Sequence, residues 1–310
     1  MPQALYYFKA LSDETRLRLL HILLHYELSV NELVAILRMG QSRISRHLKI
    51  LSEAGLLTFR RDGLWVFYMA TDHGHDKEFL TALVPFMDTD DTMRADLDEA
   101  ARLIDERTQK TRQFFNAIAE DWDELNRKVL GTFDLAAFVG SMVPQGCSLA
   151  VDLGCGTGTV LERMLERAQG VIGVDGSPRM LELCKRRFSP DQLKAGGSVS
   201  LRIGELDHLP LRDGEAGFAS INLVLHHLSS PQVALQEISR IVHKGGHMLL
   251  ADFDKHNDED MRVDYGDRWL GFAEDHLGAM LAAAGFSPQS IQRQPVARGL
   301  SLLIVLAQKQ

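Results

Sequence analysis

The sequence predicts a two-domain protein. An N-terminal winged helix-turn-helix, mostly α with a β-hairpin wing, is joined through a helical region to a C-terminal doubly wound α/β domain. Three observations lead there. Residues 1–71 carry short amphipathic helical patterns that end in a hairpin pattern. Residues 72–113 are polar and acidic yet keep an apolar stripe. Residues 114–310 alternate short apolar runs with amphipathic helices, the signature of a mostly parallel sheet covered on both faces. With 310 residues, 45% of them hydrophobic and 25% charged, the chain can build two cores, and disorder over most of its length is excluded.

Other classes fall away on composition. No apolar run approaches the roughly 18 residues that span a bilayer. The opening MPQALYYFKALSDETR lacks a basic stretch followed by an apolar one, so no signal peptide and a cytoplasmic location are expected. The three cysteines, Cys147, Cys155 and Cys184, form no C-x-x-C pair, which argues against a disulfide framework or a thiolate zinc site. The net charge of −8 is uneven: residues 1–70 hold nine Lys/Arg against six Asp/Glu, a net of +3, leaving −11 for the rest. A basic head on an acidic body raises the question of a polyanionic partner for the head.

In order along the head, Ser12 precedes a helical pattern with Leu17, Leu20 and Leu24 on one face. Ser29 to Glu32 reads as a capping box before a helix that aligns Val30, Leu33, Val34 and Leu37. Gly40 is expected to break that helix. The next begins near Gln41, places Ile44, Leu48 and Leu51 at i, i+4, i+7, and stops at Gly55. LLTFRR and LWVFYMA then flank Asp62-Gly63, a pair favoured in two-residue type I′ hairpins.

Helix, glycine, helix, hairpin is the order of a winged helix-turn-helix, in which the second helix of the motif enters the major groove of DNA. Once Ile44, Leu48 and Leu51 take the buried face, Gln41, Ser42, Arg43, Ser45, Arg46, His47 and Lys49 point mostly outward. Arg and Gln can read guanine and adenine edges in bidentate fashion, while Ser and Lys suit phosphates. Arg60 and Arg61 are expected at the wing tip, within reach of the DNA backbone or minor groove. A merely solvated charged face is the bland alternative, and the order of elements weighs against it.

The run MGQSRISRHLKILSEAGLLTFRRDGLWVFY, within Ser29–Tyr68, strongly resembles the ArsR family of bacterial winged-helix repressors. The resemblance covers the first 70 to 75 residues. It implies a homodimer on an inverted-repeat, double-stranded DNA operator, with the helix at Gln41–Ser52 as reader and a terminal helix for dimerisation. Metal-sensing members carry two cysteines at the positions here held by Ser29 and Asn31, and neutral hydroxyl and amide groups do not replace thiolates for a soft metal. The cluster His73, His75 and Asp76 reads as an ordinary polar linker, so no metal site is expected.

Between head and body, residues 72–107 hold eleven Asp/Glu and four Lys/Arg, with Phe79, Leu80, Leu83, Phe86, Met87, Met93, Leu97, Leu103 and Ile104 recurring among them. Helices interrupted near Pro85 and Asp88–Asp91 are expected, as a solvated connector or, slightly ahead, a dimerisation element.

In the body, Val151-Asp-Leu-Gly154-Cys-Gly156-Thr-Gly158 follows an apolar strand and opens a helix. Such a turn lets a ligand approach the backbone and meet free amides. The next strand ends in Asp175, a carboxylate placed to accept hydrogen bonds from ribose hydroxyls. A third strand ends at Glu205 and Leu206, and a fourth at Asn222 before His226 and His227.

This ordered set resembles class I S-adenosylmethionine-dependent methyltransferases, with their Rossmann-like α/β fold, over residues 114–310. The resemblance implies that Asp152, Gly154, Gly156 and Gly158 line the amino-acid moiety of the nucleoside and that Asp175 binds its ribose. It further implies that Gly176 and Met180 flank the adenine, that Glu205 and Leu206 meet its edge, and that Asn222 lies near the sulfur. FFNAIAEDWDEL resembles the helix that covers the cofactor, making Trp122 a contact. Cys155 reads as a small filler in the turn. His226 and His227 are weak candidates for general bases. Two functions follow: a regulator whose body senses S-adenosylhomocysteine or S-adenosylmethionine, or a working methyltransferase with an autoregulatory head. The fused architecture resembles bacterial regulators of the methionine cycle that respond to S-adenosylhomocysteine, which favours the first.

Overall fold

The computed structural model describes residues 3–194 and 196–310; Met1, Pro2 and Ala195, which fall in the expected first and third segments, lie outside the described residues. Two compact units divide the chain, Met1–Thr108 and Gln109–Gln310.

The first unit contains α1 (Gln3–Leu11), α2 (Glu14–His25), β1 (Leu28–Ser29), α3 (Val30–Leu37), α4 (Gln41–Glu53), β2 (Leu57–Asp62), β3 (Trp65–Ala70), α5 (Gly74–Met87) and most of α6 (Asp91–Ile118). Sequence reading missed α1, whose buried contribution is only Tyr7 and Ala10. Asp13, one residue after the expected Ser12, caps α2 by accepting the Arg16 amide at 3.1 Å. Glu32 supplies its half of the capping box, its carboxylate 2.6 Å from the Ser29 amide. The break before α4 differs from expectation. Arg38 takes the left-handed conformation at φ 52°, and Gly40 is the extended N-cap of α4 at φ −65°. Ile44, Leu48 and Leu51 are fully buried, together with Leu19, Leu20 and Leu23 of α2 and Leu33 of α3. They are the contacts that hold α4 on this core.

The wing is an antiparallel hairpin, with β1 completing the sheet in the order β1-β3-β2. Its turn sits one residue later than expected. Asp62 pairs with Trp65, so the loop is Gly63-Leu64. Only Gly63 has a positive φ, 57°, as a type II′ turn requires at its first central position. Asp62 is thereby drawn into the sheet and buried.

In the segment 72–113, α5 continues two residues past Pro85, because a proline in a last turn disturbs little of the helix that follows it. Leu80 and Ala100 enter the core of the first unit, with Phe79 and Leu103 packed against it. Arg18 clasps Asp96 in a bidentate pair at 2.7 and 2.8 Å.

The second unit adds, after the end of α6, α7 (Trp122–Leu130), α8 (Leu135–Met142), β4 (Ala150–Leu153), α9 (Thr159–Met164), β5 (Val171–Asp175), α10 (Pro178–Lys185), α11 (Pro190–Leu193), β6 (Val199–Ile203), β7 (Ala216–Asn222), α12 (Pro231–Ile241), β8 (Val242–Phe253), α13 (Asp260–Asp264), α14 (Glu274–Ala283), β9 (Phe286–Pro295) and β10 (Ser301–Lys309). One seven-stranded sheet runs β6-β5-β4-β7-β8-β10-β9. The first five strands are parallel; β10 is antiparallel to both β8 and β9. Two cores lie on its faces. One gathers Leu235 and Ile238 of α12 with Leu277 and Leu281 of α14. The other gathers Val139, Leu161, Met164 and Leu181 from α8, α9 and α10. The strand β9 carried no apolar signal, because it lies at the sheet edge, is mostly exposed and contains Pro288, a residue tolerated there. The order reverses between β4 and β7, and the carboxyl ends of the strands beside such a switch point form the ligand crevice of open α/β sheets.

Leu48→Ala should destabilise the first unit by about 2–5 kcal/mol, the usual range for truncating a fully buried leucine. Denaturant unfolding monitored through the helical signal checks this; a loss under about 1 kcal/mol would show that the reading helix is not seated by this core.

Candidate functional site

The turn between β4 and α9 is built from left-handed backbone. Gly154, Gly156 and Gly158 have φ of 70°, 51° and 86°. Side chains are excluded there for steric reasons too. A Cβ on Gly154 would collide with Val224, and one on Gly158 with the thiol of Cys184. On Gly156 it would meet Trp122 Nε1 at 3.3 Å. The expected contact residue Trp122 is therefore against the turn.

Two carboxylates bracket this turn. Asp152 is buried on β4, where Ser220 Oγ donates to it at 2.6 Å and Asn222 Nδ2 at 3.4 Å. Burial outweighs these donors and pushes its pKa up to about 7. Asp175, at the end of β5, accepts the amides of Gly156 and Ser177, each at 2.8 Å. Its pKa is also raised, by burial first, with the two amides opposing and the Glu205 charge adding. The Glu205 carboxylate lies 3.3 Å from where a Gly176 Cβ would stand, which brings those two expected residues together. Met180 and Leu206 are both buried.

Several residues of the site escaped sequence reasoning. Ser220 has no motif of its own, although it sits on β7 two residues before Asn222. Asn116 accepts from Ser177 Oγ at 2.7 Å, and Arg112 approaches Glu205 at 3.8 Å. Phe115 packs edge-on to both Trp122 and His227, with centroids 5.4 and 4.9 Å away. Thr157 of the turn and Arg187 both bind Asp123. The cover segment was legible as a unit, but which of its side chains point inward was not.

Beyond Asn222 the chain turns through Leu223 at φ 56°, where its N–H donates a hydrogen bond to the Ala251 carbonyl at 2.8 Å. A left-handed leucine is strained by roughly 1–3 kcal/mol, a feature that clusters at ligand sites. The turn buries His226 and His227. His226 Nδ1 lies 2.6 Å from Asp252, and Nε2 lies 3.4 Å from Asp267. Burial pulls the His226 pKa down, but the two carboxylates prevail and raise it to about 10, so the ring is an imidazolium. Burial, and then the His226 charge, lower His227 to about 4. His226, His227 and Asp267 each bring an atom within 4.8 Å of the others, but a protonated ring offers no lone pair to a metal. A small cavity of about 20 Å³ here is lined by Trp122, Asn126, His227, Tyr265 and Asp267, among others. Asp252 was detectable as a carboxylate ending a buried apolar strand; Asp267 comes from a loop without periodicity. Cys155 is buried beside Cys184, and that contact together with burial holds its thiol well above its usual pKa, consistent with a filler rather than a nucleophile.

On α4, Gln41, Ser42, Arg43, Ser45, Arg46 and Lys49 are exposed. Two expected DNA contacts are placed otherwise. His47 is half-buried, 3.7 Å from Asp13, with its pKa lowered by burial. Arg60 is committed within the unit: it pairs in bidentate fashion with Glu27 at 2.8 and 2.7 Å, approaches Asp62 at 3.5 Å, and lies 4.3 Å over the Phe67 ring. Alternation along β2 sends its side chain to the opposite face from that of the exposed Arg61.

Comparison with known proteins agrees with both units. Residues 13–58 match the bacterial regulatory protein, arsR family, and residues 151–250 match a methyltransferase domain. The arsenic resistance transcriptional regulator ArsR1 of Pseudomonas putida is 52% identical over 62 residues, 20% of this chain and 48% of that one. The ubiquinone/menaquinone biosynthesis C-methyltransferase UbiE of Syntrophotalea carbinolica is 35% identical over 152 residues, 47% of this chain and 62% of that one. This chain thus spans less than two thirds of either relative. Among solved structures, the [4+2]-cyclase SpnF superposes with a TM-score of 0.53 at 18% identity, covering 64% of this chain and 94% of that one, a likeness of fold. The chain therefore joins an ArsR-type helix-turn-helix region to a methyltransferase domain of the Rossmann-like class I fold. No helix among the described residues is long and apolar enough to cross a membrane.

A His226 pKa raised on folding adds stability that is fully present below the unfolded value of about 6.5 and is lost as pH climbs through about 10. The stability gap between the parent chain and His226→Gln should therefore be widest in mild acid and shrink toward pH 10. Guanidinium unfolding of both proteins across that range measures it; a gap independent of pH contradicts an imidazolium at this position.

Proposed function

We propose that this chain is a DNA-binding transcriptional regulator, acting as a repressor, whose methyltransferase-like domain takes S-adenosylhomocysteine or S-adenosylmethionine as effector. Its targets would be genes of the methionine and S-adenosylmethionine cycle. The observation that carries the adenosyl assignment is the pair of carboxylates, Asp152 buried and Asp175 half-buried, flanking a turn built from left-handed glycines. The donor set fits the ligand. Asp175 and Glu205 would supply acceptors to a ribose and an adenine edge. Asp152, Ser220 and Asn222 form a polar end suited to an amino-acid tail. Asn222 Oδ1 is buried and, among the described residues, accepts no hydrogen bond, so an ammonium group would satisfy it. Asp175 and Asp152, the backbone amides and the Trp122 cover would bind and orient the nucleoside and exclude water.

On the DNA side, the exposed row on α4 and Arg61 supply groups for base edges and phosphates, leaving Arg60 and His47 to brace the unit. A homodimer is part of this reading. Leu5, Tyr6 and Phe8 of α1 and Phe86 of α5 are exposed, and Phe8 touches Phe79 of α5, an apolar surface suited to a second copy. A dimer presents two reading helices at fixed spacing to an inverted repeat. For the nucleoside to act as a switch, it must bind the DNA-competent and incompetent arrangements unequally; a coupling of about 1–3 kcal/mol changes operator affinity about 5–150-fold.

A second reading, an active methyltransferase for a small acceptor with an autoregulatory head, is favoured by the neutral His227 ring on the wall of the small cavity past the end of β7. The neutral ring of His227 could take a proton from an acceptor there. The sensor reading is preferred because His226 and His227 are packed into the protein by Asp252, Asp267 and Phe115.

With an operator selected from random duplexes, both nucleosides should shift the affinity of the intact protein. Asp175→Ala should abolish nucleoside binding in calorimetry and the shift, while leaving DNA binding without nucleoside unchanged. Operator affinity indifferent to saturating amounts of both nucleosides would exclude the sensor, and methyl transfer under those conditions would establish the second reading. Arg46→Ala should cost about 1–3 kcal/mol of operator affinity if the side chain reads a guanine. Fluorescence anisotropy at several salt concentrations checks this; an unchanged affinity would mean that α4 does not face DNA.

A further inference from the structure

We propose that His21, His25 and Asp88 form a binding site for a divalent transition-metal ion such as zinc within the DNA-binding unit. His21 and His25 lie four residues apart on α2, a spacing that puts both rings on one face of a helix and that recurs in zinc-binding helices. Asp88 caps the end of α5 and brings a carboxylate to the same place. One ligand atom from each of the three lies within 4.8 Å of the other two.

The local chemistry favours a metal over a simple hydrogen bond. The His21 ring is fully buried; Nε2 stands 2.9 Å from Asp88 Oδ1, and Nδ1 has no hydrogen-bond partner among the described residues. The His25 ring stands 5.6 Å away, nearly perpendicular. A His21–Asp88 bond alone leaves the adjacent His25 ring unexplained. Zinc takes nitrogen and carboxylate ligands at about 2.0–2.2 Å, so side-chain rotation of the exposed His25 and Asp88 would close the three around an ion. Water would complete a tetrahedral shell.

The position differs from that of the paired cysteines of metal-sensing relatives, here Ser29 and Asn31. It differs also from His73 and His75, which are exposed and engaged with Asp72 and Glu78. An ion at this site would cross-link α2 to the end of α5. Because Leu19, Leu20 and Leu23 of α2 share a core with Ile44 and Leu48 of α4, the cross-link would reach the element that carries the exposed basic row.

The test is a titration of the full-length, chelator-stripped protein with cobalt(II), followed by absorption, and then competition with zinc. One equivalent per chain should bind with a tetrahedral cobalt spectrum that zinc abolishes. His25→Gln and Asp88→Asn change exposed side chains and should leave the fold intact. Each should weaken binding by at least the roughly 10–100-fold that follows loss of even an outer partner of a metal ligand. The double variant His73→Gln/His75→Gln should bind as the parent does. Parent-like affinity in either His25→Gln or Asp88→Asn, or no uptake by the unmodified chain, overturns the site.

Discussion

A carboxylate drawn away from water must be met by donors, and at the ends of β4 and β5 that requirement shapes the second unit. Asp175 is stabilised by the amides of Gly156 and Ser177, so the glycine turn and the start of α10 are held to one side chain. The amide of Gly156 points at Asp175 only because the backbone there is left-handed, and that conformation is open to glycine at little steric cost. Asp152 is met by Ser220 and Asn222 of the adjacent β7, which binds the first strand to the fourth across the switch point. Together these contacts create a concave polar edge on an otherwise apolar sheet.

Around that edge the chain uses charge in two ways. His226 is kept charged between two buried carboxylates, while His227, against its neighbour's charge, is kept neutral. Like charges on adjacent rings would repel in a low-dielectric interior, so the environment splits their pKa values. The charged ring ties the β7 turn to the end of β8 through Asp252; the neutral one is left on the cavity wall.

The first unit applies a similar division to its cations. Arg60 and Arg18 are consumed by carboxylates inside the unit, and their bidentate geometry makes them braces. The arginines and lysine of α4 remain on the exposed face because the opposite face is filled by three large aliphatic residues. One helix thus both completes a core and presents a polar row.

Much of this was legible in the sequence. The periodicity of Ile44, Leu48 and Leu51 assigned the buried face of α4, and the alternation of apolar runs with helices assigned a doubly wound sheet, because these patterns reflect which side of an element leaves water. The spacing of Gly154, Gly156, Gly158 and Asp175 located the glycine turn and the carboxylate that faces it, because a backbone turn and the strand after it are local in the chain. What lay beyond reach depends on contacts distant in sequence. The edge strand β9 has no buried face to announce it. The shift of the wing turn to Gly63-Leu64 is tied to the burial of Asp62 in the sheet. Whether Arg60 is free or braced depends on Glu27, thirty-three positions away, and whether His226 is charged depends on Asp252 and Asp267. Most of the elements, their buried faces and the glycine turn are set by chain order alone, since each follows from local conformational preference and hydrophobic period. Which charged and polar side chains are paired was settled in the fold, since the energy of a charge is set by neighbours that folding, not chain order, brings to it.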